Sequence, residues 1–420
     1  MMNVLILGSG GREHALCQKI SESPLLSQLY AIPGNPGINE VALCYDIDPK
    51  NHHALKRFVL SKKIDLIIPG SEIYLVDGIT DLFADTNVRV FGPTKQAAQL
   101  ESSKVFAKNI MTKYHIPTAD YNTFTDYDKA CDYLEQLSSP YVIKYNGLAG
   151  GKGVTVTADL SEAKEILKSL LVDHQYGDES VIIETFLTGD EFSFMCFVHH
   201  DIIIPMPICQ DHKPLLDNGI GPNTGGMGMV CPVDSITDQT IQKAFTEIMQ
   251  PIVTAMVKEG HPFTGFLYGG LIQTESGPKV IEFNARFGDP EAEVLCLKLK
   301  SDLLSIIVNL FDGLKPNAEW HSGYHLGVVL ASKGYPKKYS KNQAIHGLNQ
   351  LKTPYFHMGT KNKGNTLVTA GGRVLCVVGH KQTFKETQQF TYSEIKKISC
   401  DTLMYRSDIG QKSQRGYSNE

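Results

Sequence analysis

The chain has 420 residues, of which 42% are hydrophobic and 20% are charged, and its formal net charge is −5. This size and composition predict a soluble globular protein of two to four domains. The negative charge gives no electrostatic support for nucleic-acid binding. No apolar run approaches the ~18 residues of a membrane span, and no signal peptide is recognisable. We therefore expect a cytoplasmic protein without nucleic-acid or membrane partners.

Residues 1 to about 92 alternate short apolar runs with helix-like stretches. The runs are NVLILG, QLYAI, KIDLIIPG and VRVFG. This rhythm predicts a parallel sheet with helices on both faces. Three of the runs end in glycine loops, GSGGRE, PGNPG and PGSE. Because ligands bind beyond the carboxyl ends of such strands, we expect these loops to converge on one pocket.

The loop GSGGRE has three possible interpretations. Gly8 and Gly10 match half of the dinucleotide pattern G-x-G-x-x-G, but Glu13 stands at the third glycine position. The next apolar run also lacks the acid that would bind a ribose. Arg12 beside a helix N-terminus favours a small phosphorylated or carboxylated ligand instead of NAD. The remaining alternative is a tight turn without a ligand, in which the glycines serve packing.

Residues 93 to about 116 are predicted to be helical. Residues 120–190 read strand, helix, strand, loop, strand, helix, strand, with Ser161 as the predicted N-cap of the second helix. This order is that of a βαββαβ module.

The stretch YVIKYNGLAGGKGVTVTAD superficially resembles a Walker A loop. However, β-branched VTVT follows it, and this indicates a strand where a Walker loop would begin a helix. We predict a glycine hairpin whose backbone N–H groups, together with Lys152, close over phosphates. Lys144 in the preceding apolar strand needs an anionic partner. Its alternative is a solvent-facing position on an edge strand.

The stretch KVIEFNARFGDPE places Glu282 and Asn284 on one face of a predicted strand. Their hard oxygen atoms suit Mg²⁺, which usually takes few protein ligands in addition to substrate phosphates. Arg286 is placed to stabilise charge on a transferring phosphoryl group. The alternative is a structural ion pair between Glu282 and Arg286.

The stretch DHKPLLDNGIGPNTGGMGMVCP contains more glycines than a core element tolerates. It is predicted to be a substrate loop with Asn223, Thr224 and the backbone of residues 225–226 as donors. The alternative is an ordinary long surface loop, although long unstructured loops are uncommon without a function. An apolar helix, SDLLSIIVNLF, follows at residues 301–311, and a last α+β segment begins at about residue 324.

Together the glycine flap, the strand lysine and the paired oxygen ligands describe an ATP-grasp arrangement. Over nearly its whole length the chain resembles the phosphoribosylamine–glycine ligase family, in LGSGGREHAL, FGPTKQAAQLESSK, GLAGGKGV, DHK, GPNTGGMG, GFLYGGL, IEFNARFGDPE, LGVVLASKGYP, FHMGT and GGRVLCV. The resemblance implies an α/β and α+β multidomain fold. Its parts would be an N-terminal parallel α/β domain at 1–103, an ATP-grasp domain at 104–323 with a βαββαβ lid at about 120–190, and a C-terminal α+β domain at 324–420.

The resemblance also implies the reaction. ATP would phosphorylate glycine, and the amine of 5-phosphoribosylamine would attack the glycyl phosphate to give glycinamide ribonucleotide, ADP and phosphate in de novo purine biosynthesis. The implied cofactor is Mg²⁺ or Mn²⁺, with ATP as co-substrate. A transient contact with the enzyme that supplies the labile phosphoribosylamine is also expected.

Site residues follow from the matching motifs. The implied catalytic residues are Arg286, Lys144 and Lys152, and the implied metal ligands are Glu282 and Asn284. The implied ATP-binding residues are Lys104, Lys144, Gly150, Gly151, Lys152, Gly153, Glu184, Leu187 and Glu191. The implied substrate-binding residues are Gly10, Gly11, Arg12, Glu13, Asn35, Glu72, Asp211, Asn223, Thr224, Gly225 and Asp289. By this resemblance GSGGRE would hold the phosphoribosylamine.

The chain departs from the family pattern at three places. Ser71 and Tyr74 replace two prolines of a G-P-E-x-P-L stretch, so the loop near Glu72 is expected to be looser. Asn146 stands where the family commonly has Asp. The run FLYGGLI offers no carboxylate, so one metal ion would be held less fully by protein.

Three other functions compete with this interpretation. Another ATP-grasp carboxylate–amine ligase would keep the flap and the metal pair but not GPNTGGMG together with FNARFGDPE. A non-catalytic nucleotide-binding regulator would have lost metal or phosphate residues, which are intact here. An NAD oxidoreductase is disfavoured by Glu13.

Overall fold

The N-terminal part of the chain is a parallel α/β unit, as predicted. The computed structural model describes residues 1–149 and 153–414. The strands of this unit are β1 Met2–Gly8, β2 Leu26–Pro33, β3 Leu43–Cys44, β4 Leu66–Pro69 and β5 Arg89–Val90. Its helices are α1 Gly11–Ser21, α2 His52–Ser61, α3 Glu72–Val76 and α4 Ile79–Leu82. All strand pairs are parallel in the order β3-β2-β1-β4-β5. The short strand β3 was not predicted.

The stretch predicted as one helix at 93–116 is two helices, so that prediction was wrong in part. They are α5 Gln99–Ser102 and α6 Lys104–Lys113. Ser103 between them has an extended backbone, and its hydroxyl accepts a hydrogen bond from the Phe106 amide. Serine at such a position caps a new helix instead of continuing the old one.

The following segment has the predicted βαββαβ order. Its elements are β6 Tyr121–Phe124, α7 Tyr127–Leu134, β7 Tyr141–Tyr145, β8 Val154–Thr157, α8 Leu160–Leu171 and β9 Val181–Thr185. The strands form an antiparallel sheet in the order β6-β9-β7-β8. We call residues 121–185 the lid. The N-cap of α8 is Asp159 and not Ser161, because the Asp159 carboxylate accepts from the Ser161 and Glu162 amides.

The central part of the chain builds an antiparallel sheet in the order β11-β10-β16-β17. The strands from residue 190 onward are β10 Asp190–His199, β11 Ile202–Pro205, β12 Gln210–Asp211, β13 Pro214–Leu216, β14 Ile220–Asn223, β15 Gly228–Cys231, β16 Thr264–Thr274 and β17 Gly277–Asn284. The helices are α9 Asp238–Ala244, α10 Gln250–Lys258, α11 Glu291–Lys298 and α12 Leu303–Phe311. The predicted substrate loop contains the β13–β14 hairpin, so it is not an unstructured loop.

The C-terminal part adds an α+β unit, as predicted. Its elements are β18 Tyr324–Ser332, β19 Tyr355–His357, β20 Thr360–Lys363, β21 Thr366–Thr369, β22 Arg373–Lys381, α13 Phe384–Ile395 and β23 Leu403–Met404. The main sheet has the order β12-β15-β18-β22-β19, with β23 paired to β18. Strands β12 and β15 therefore join the predicted substrate segment to the C-terminal sheet.

Helix packing brings the three parts of the chain around one cleft. Helix α1, which begins at the GSGGRE loop, packs on α11, which follows the FNARFGDPE stretch. One hydrophobic core joins the N-terminal sheet to the central sheet, and the lid has a separate small core of its own. Among the described residues no helix is long and apolar enough to cross a membrane.

Candidate active site

The three glycine loops converge as predicted: PGNPG is joined to GSGGRE by the Gly34 amide, which donates to the Gly8 carbonyl. Two of the loops, GSGGRE and PGSE, surround the side chain of Glu13. The Glu13 carboxylate accepts a hydrogen bond of 2.5 Å from the Gly10 amide, and the side chain is 3% exposed. A Cβ atom at Gly8, Gly10 or Gly70 would lie 2.6, 2.8 or 1.9 Å from Glu13 side-chain atoms. These glycines are thus required by packing around Glu13. The Glu13 side chain also fills the space beside the turn, which disfavours a dinucleotide there.

Arg12 is buried and joins the glycine loop to the FNARFGDPE stretch. Its Nε lies 2.9 Å from Glu13 Oε1, and its Nη1 donates to the Phe287 carbonyl at 3.0 Å. Asn35 has a similar structural use. Its amide nitrogen donates to the Ser9 and His357 carbonyls, and its oxygen accepts from the Ile38 amide.

Arg286 lies in an ion network, but not the one considered from the sequence. Its guanidinium is 3.5 Å from Glu72 and 3.4 Å from Glu101, while Glu282 is not among its ion-pair partners in the described residues. Arg286 lies just beyond the end of β17, and it donates to Asn284 Oδ1 at 3.2 Å. Burial alone would raise the pKa of Glu72, but Arg286 and then Arg12 lower it below the usual range.

A second arginine fixes the loop that follows. Arg373 lies 3.0 Å from the Asp289 carboxylate and also donates to the Asp289 and Gly225 carbonyls. The Gly225 amide in turn donates to the Tyr335 hydroxyl. The Thr224 amide and hydroxyl both donate to the Lys213 carbonyl, at 2.8 and 2.7 Å. The GPNTGG segment is therefore held in one shape by the C-terminal unit, with Asn223 exposed beside it.

Lys144, in the strand before the flap, has the anionic partner that was predicted from the sequence. Its Nζ lies 2.8 Å from Glu184 Oε2 and donates to the Ile281 carbonyl at 3.0 Å. The side chain is 6% exposed, so the alternative of a solvent-facing edge position was wrong. Lys104 begins α6 and donates to the Gly147 carbonyl at the base of the flap, at 3.2 Å.

Glu282 and Asn284 share a face of β17, as predicted, and they lie opposite Gly270 and Tyr268 of β16. Lys213 Nζ is 3.9 Å from both Glu282 and Glu191.

Burial alone would raise the pKa of Glu282, but three ammonium groups overcome this effect and lower the pKa. They belong to Lys213, Lys144 and Lys104. The carboxylate therefore stays ionised, as a metal ligand must be.

The metal prediction fits this donor set. Within the described residues no group of three or more His, Cys, Asp or Glu side chains could hold an ion by itself. Glu282 and Asn284 instead offer two hard oxygen atoms, and three lysine ammonium groups lie near Glu282. That is the pattern of an Mg²⁺ ion that shares its coordination between protein and substrate phosphates.

Asp211 stands at the inner wall of the cleft. Burial, and then the charge of Glu291, raise the pKa of Asp211 to about 8. Its Oδ1 has no hydrogen-bond partner in the part of the chain that the structure describes. Glu291 accepts from the Ser193 hydroxyl at 3.0 Å, and this hydroxyl also lies 3.0 Å from the Tyr268 hydroxyl. A buried carboxyl oxygen atom without a protein partner suits a cationic or donor group of a substrate.

The flap is described only in part. Gly150, Gly151 and Lys152 lie outside the described residues, while Gly153 begins the return strand and its carbonyl accepts from the Tyr145 amide. Strands β7 and β8 pair across this segment, so the predicted glycine hairpin is confirmed. Leu187 is half-buried in the loop that connects the lid to β10.

Four residues of the site were missed as candidates: Lys108, Lys213, Glu101 and Arg373. Lys213 and Arg373 lie in the matching stretches DHK and GGRVLCV, so a closer look at their charges could have found them. Glu101 also lies in a matching stretch, FGPTKQAAQLESSK, whereas Lys108 lies in none of them and its carboxylate partner, Glu184, is distant in the chain.

Comparisons with known proteins agree with this geometry. Models of phosphoribosylglycinamide synthetase match the chain with the N domain at 2–101, the ATP-grasp (A) domain at 102–292 and the C domain at 325–412. The chain is 47% identical over 415 residues to a phosphoribosylamine–glycine ligase of Halalkalibacterium halodurans, covering 98% of this chain and 97% of that one. It is 43% identical to the Lactococcus lactis protein of that name, covering 98% and 100%.

Solved structures give the same result. A crystal structure of phosphoribosylamine–glycine ligase from Thermotoga maritima matches with a TM-score of 0.87 and 32% identity, over 97% of this chain and 99% of that one. The biotin carboxylase domain of a Hydrogenobacter thermophilus 2-oxoglutarate carboxylase matches with a TM-score of 0.72 at 15% identity, over 96% and 92%, which indicates a shared fold alone. Since family models cover most of its length, the chain belongs to the phosphoribosylglycinamide synthetase family.

Proposed function

We propose that this cleft joins glycine to 5-phosphoribosylamine, giving glycinamide ribonucleotide, ADP and phosphate in de novo purine biosynthesis. Family membership makes the chain an ATP-dependent ligase of the ATP-grasp type. The observation that carries the site assignment is the convergence of three ammonium groups on Glu282. They are those of Lys213, Lys144 and Lys104, and they come from three different segments of the chain.

The chemistry requires activation of a carboxylate, because a carboxylate and an amine do not condense by themselves in water. In the first step a glycine carboxylate oxygen attacks the γ-phosphorus of ATP, and the bond from that phosphorus to ADP breaks. In the second step the amine of phosphoribosylamine attacks the carbonyl carbon of glycyl phosphate. The new C–N bond forms, the bond to the phosphate oxygen breaks, and the amine loses a proton. Fixed cations stabilise the charge that moves onto phosphate oxygen atoms in both steps.

Glu282 and Asn284 would hold Mg²⁺, or Mn²⁺ in its place, together with phosphate oxygen atoms of ATP. The ion, when bound, supplies further charge neutralisation at the phosphates. Arg286 keeps Asn284 in place through its 3.2 Å hydrogen bond, and its own position is set by two carboxylates. It therefore orients the metal site in addition to its proposed part in stabilising the phosphoryl group.

The phosphoribosylamine is proposed to lie at the N-terminus of α1. The first turn of a helix leaves N–H groups without helical acceptors, and these attract phosphate. Gly10 and Gly11 lack the Cβ atoms that would collide with Glu13 and Glu293, and Arg12 and Glu13 hold the loop in shape. Asn35 shapes the neighbouring loop, since its amide is occupied by backbone groups.

Other proposed substrate contacts line the same cleft. Glu72 and Asp289 project from loops held by arginines, and Asp211 has an unpartnered oxygen atom. The segment 223–225 forms the rim. A transient contact with the enzyme that supplies phosphoribosylamine, and a cytoplasmic location, stay predictions.

Trapping the acyl phosphate tests this proposal. The protein would be incubated with ATP, Mg²⁺, glycine and hydroxylamine, without phosphoribosylamine. Glycyl phosphate would react with hydroxylamine to give glycine hydroxamate, together with ADP. Freshly made phosphoribosylamine in place of hydroxylamine should give glycinamide ribonucleotide.

The controls separate the competing functions. The Glu282→Gln variant, which keeps the size of the side chain, should lose both products. Omission of glycine should abolish ADP release above background. A different carboxylic acid that supports ADP release better than glycine would contradict the substrate assignment and favour another carboxylate–amine ligase.

A further inference from the structure

Lys108 is a buried charge that the proposed chemistry does not use. It lies on α6, one helical turn after Lys104, and its side chain is only 3% exposed. A buried ammonium group is costly unless every donor finds an acceptor. The contacts of the Lys108 ammonium group therefore indicate its role.

The ammonium group of Lys108 contacts the two chain segments that lead into and out of the lid. Nζ donates to the Thr118 hydroxyl at 2.8 Å and to the Ala119 carbonyl at 3.2 Å, just before β6. It lies 3.3 Å from Glu184 Oε1, near the end of β9. The Tyr121 ring, at the start of β6, is 5.1 Å from the ammonium group. The two segments also pair directly, with Tyr121 opposite Glu184.

Glu184 connects Lys108 to Lys144, the lysine that is proposed to contact an ATP phosphate. Its second oxygen atom lies 2.8 Å from Lys144, which also donates to the Ile281 carbonyl next to Glu282. Lys108, Glu184 and Lys144 thus form a row in which one carboxylate lies between two ammonium groups. The row carries one net positive charge. Without Lys108, Glu184 and Lys144 would form a neutral pair, with less attraction for an anionic phosphate.

We propose that Lys108 is a positioning residue for nucleotide binding, which acts by fixing Glu184 and thereby leaving the charge of Lys144 available to an ATP phosphate. This inference rests on the proposed assignment of the cleft to ATP. The position of Lys108 at both connections of the lid means that the same contact sets the orientation of the lid relative to β17. Lys108 itself is separated from the nucleotide by Glu184 and Lys144.

Binding of MgADP, measured by calorimetry on the full-length chain, tests the proposal. Lys108→Met keeps an unbranched side chain of similar length and removes the charge. We expect it to raise the Kd for MgADP about tenfold, which corresponds to about 1.4 kcal/mol. Lys108→Arg keeps the charge and should stay within about threefold of the wild type. ADP binding needs neither glycine nor phosphoribosylamine, so failure of the ligase assay and failure of this inference are distinguishable.

Lys113→Met is the matched control. Lys113 lies on the same helix but is 62% exposed and pairs with Glu259, away from the lid. It should bind MgADP like the wild type. In steady-state assays Lys108→Met should raise the KM for ATP by the same factor, with the KM for glycine unchanged. A merely structural role would lower the melting temperature without this selective change.

A double-mutant comparison tests whether Lys108 acts on nucleotide binding through Glu184. In the Glu184→Gln protein, the additional Lys108→Met change should alter the Kd by less than about twofold, because the carboxylate that Lys108 positions is gone. The inference is overturned if the full tenfold loss persists there, or if Lys108→Met binds MgADP like the wild type.

If the Lys108→Met protein does not fold, a second measurement tests the proposal. It compares the pH dependence of MgADP affinity between the wild type and Lys108→Arg. Burial lowers the pKa of Lys108 to about 8, against the opposing charge of Glu184 and with a further lowering by Lys144. The other groups that face it are Asp120 and the Tyr121 ring. MgADP affinity of the wild type should fall above pH 8, as Lys108 loses its proton. The Arg variant stays charged and should show no such fall. Identical pH curves for the two proteins would overturn the inference.

Discussion

Glu293 is a buried carboxyl group whose replacement should stabilise the protein. It lies in α11 with no solvent exposure, behind the N-terminus of α1. Within the described residues, neither of its oxygen atoms has a hydrogen-bond partner. Burial, and then the charge of Asp289, raise its pKa well above the usual range. Burial therefore favours the neutral acid form of Glu293 in the folded protein.

The sign of the pH dependence follows from proton binding. Above a pH of about 4.3 the unfolded chain loses the Glu293 proton, while the folded chain keeps it to a higher pH. The free energy of unfolding then falls as pH rises, by at most about 1.4 kcal/mol per pH unit from this group. Between pH 4.3 and pH 7 the loss is at most about 3–4 kcal/mol. Glu293→Gln has the same shape and is neutral in both states, so it removes this slope.

The assay compares urea unfolding of wild type and Glu293→Gln from about pH 4.5 to about pH 8. We expect the variant to gain stability over the wild type progressively as pH rises, with little difference near pH 4.5. The difference between the two curves removes the contributions of all other titrating groups. Glu275→Gln, in an exposed turn, is the matched control and should follow the wild type. Parallel curves for Glu293→Gln and the wild type would show that Glu293 is ionised in the folded protein.

Three further changes test the cleft. Glu282→Gln should lower ATP turnover far more than the melting temperature, because it removes a proposed metal-ligand charge; wild-type activity at limiting Mg²⁺ would contradict this. Arg12→Ala removes the charge-assisted bonds that fix the glycine loop to Glu13 and to the Phe287 carbonyl, each worth roughly 1.5–3 kcal/mol, so the KM for phosphoribosylamine should rise about ten- to hundredfold and the KM for ATP much less. Gly70→Ala places a Cβ 1.9 Å from Glu13 Oε1 and should lower the melting temperature. If Gly70→Ala melts like the wild type, the packing account of the glycine loops is wrong.

The sequence predicted local structure best where periodicity and flanking glycines agreed. The parallel N-terminal sheet and the βαββαβ order of the lid were both visible in the spacing of apolar residues. The errors lay at helix ends. Ser161 and Asp159 are both good N-cap residues, and only the backbone decides which one accepts the first amides. Ser103 likewise interrupts a continuous helical pattern by capping a new helix.

The site was predictable as a set of residues but not as a network. The need of Lys144 for an anion follows from its apolar strand, yet the partner, Glu184, is 40 residues away in the chain. The alternative considered for Arg286 was an ion pair with its neighbour Glu282, whereas its carboxylate partners come from the N-terminal part of the chain. Local spacing gives the chemistry of a side chain. Only the tertiary fold selects among distant partners.

The position of Arg12 changes what the N-terminal glycines imply. A freely exposed arginine at a helix N-terminus would indicate direct phosphate binding, but Arg12 is buried and already bonded to Phe287 and Glu13. Arg286 donates to the same Phe287 carbonyl, at 3.2 Å. Two guanidinium groups, one beside each proposed substrate site, thus share one acceptor. If the glycine loop shifts when phosphoribosylamine binds, the shift would move Arg12 and the Phe287 carbonyl. Arg286 bonds to the same carbonyl and to Asn284, so the shift would also affect the proposed metal ligands at the end of β17.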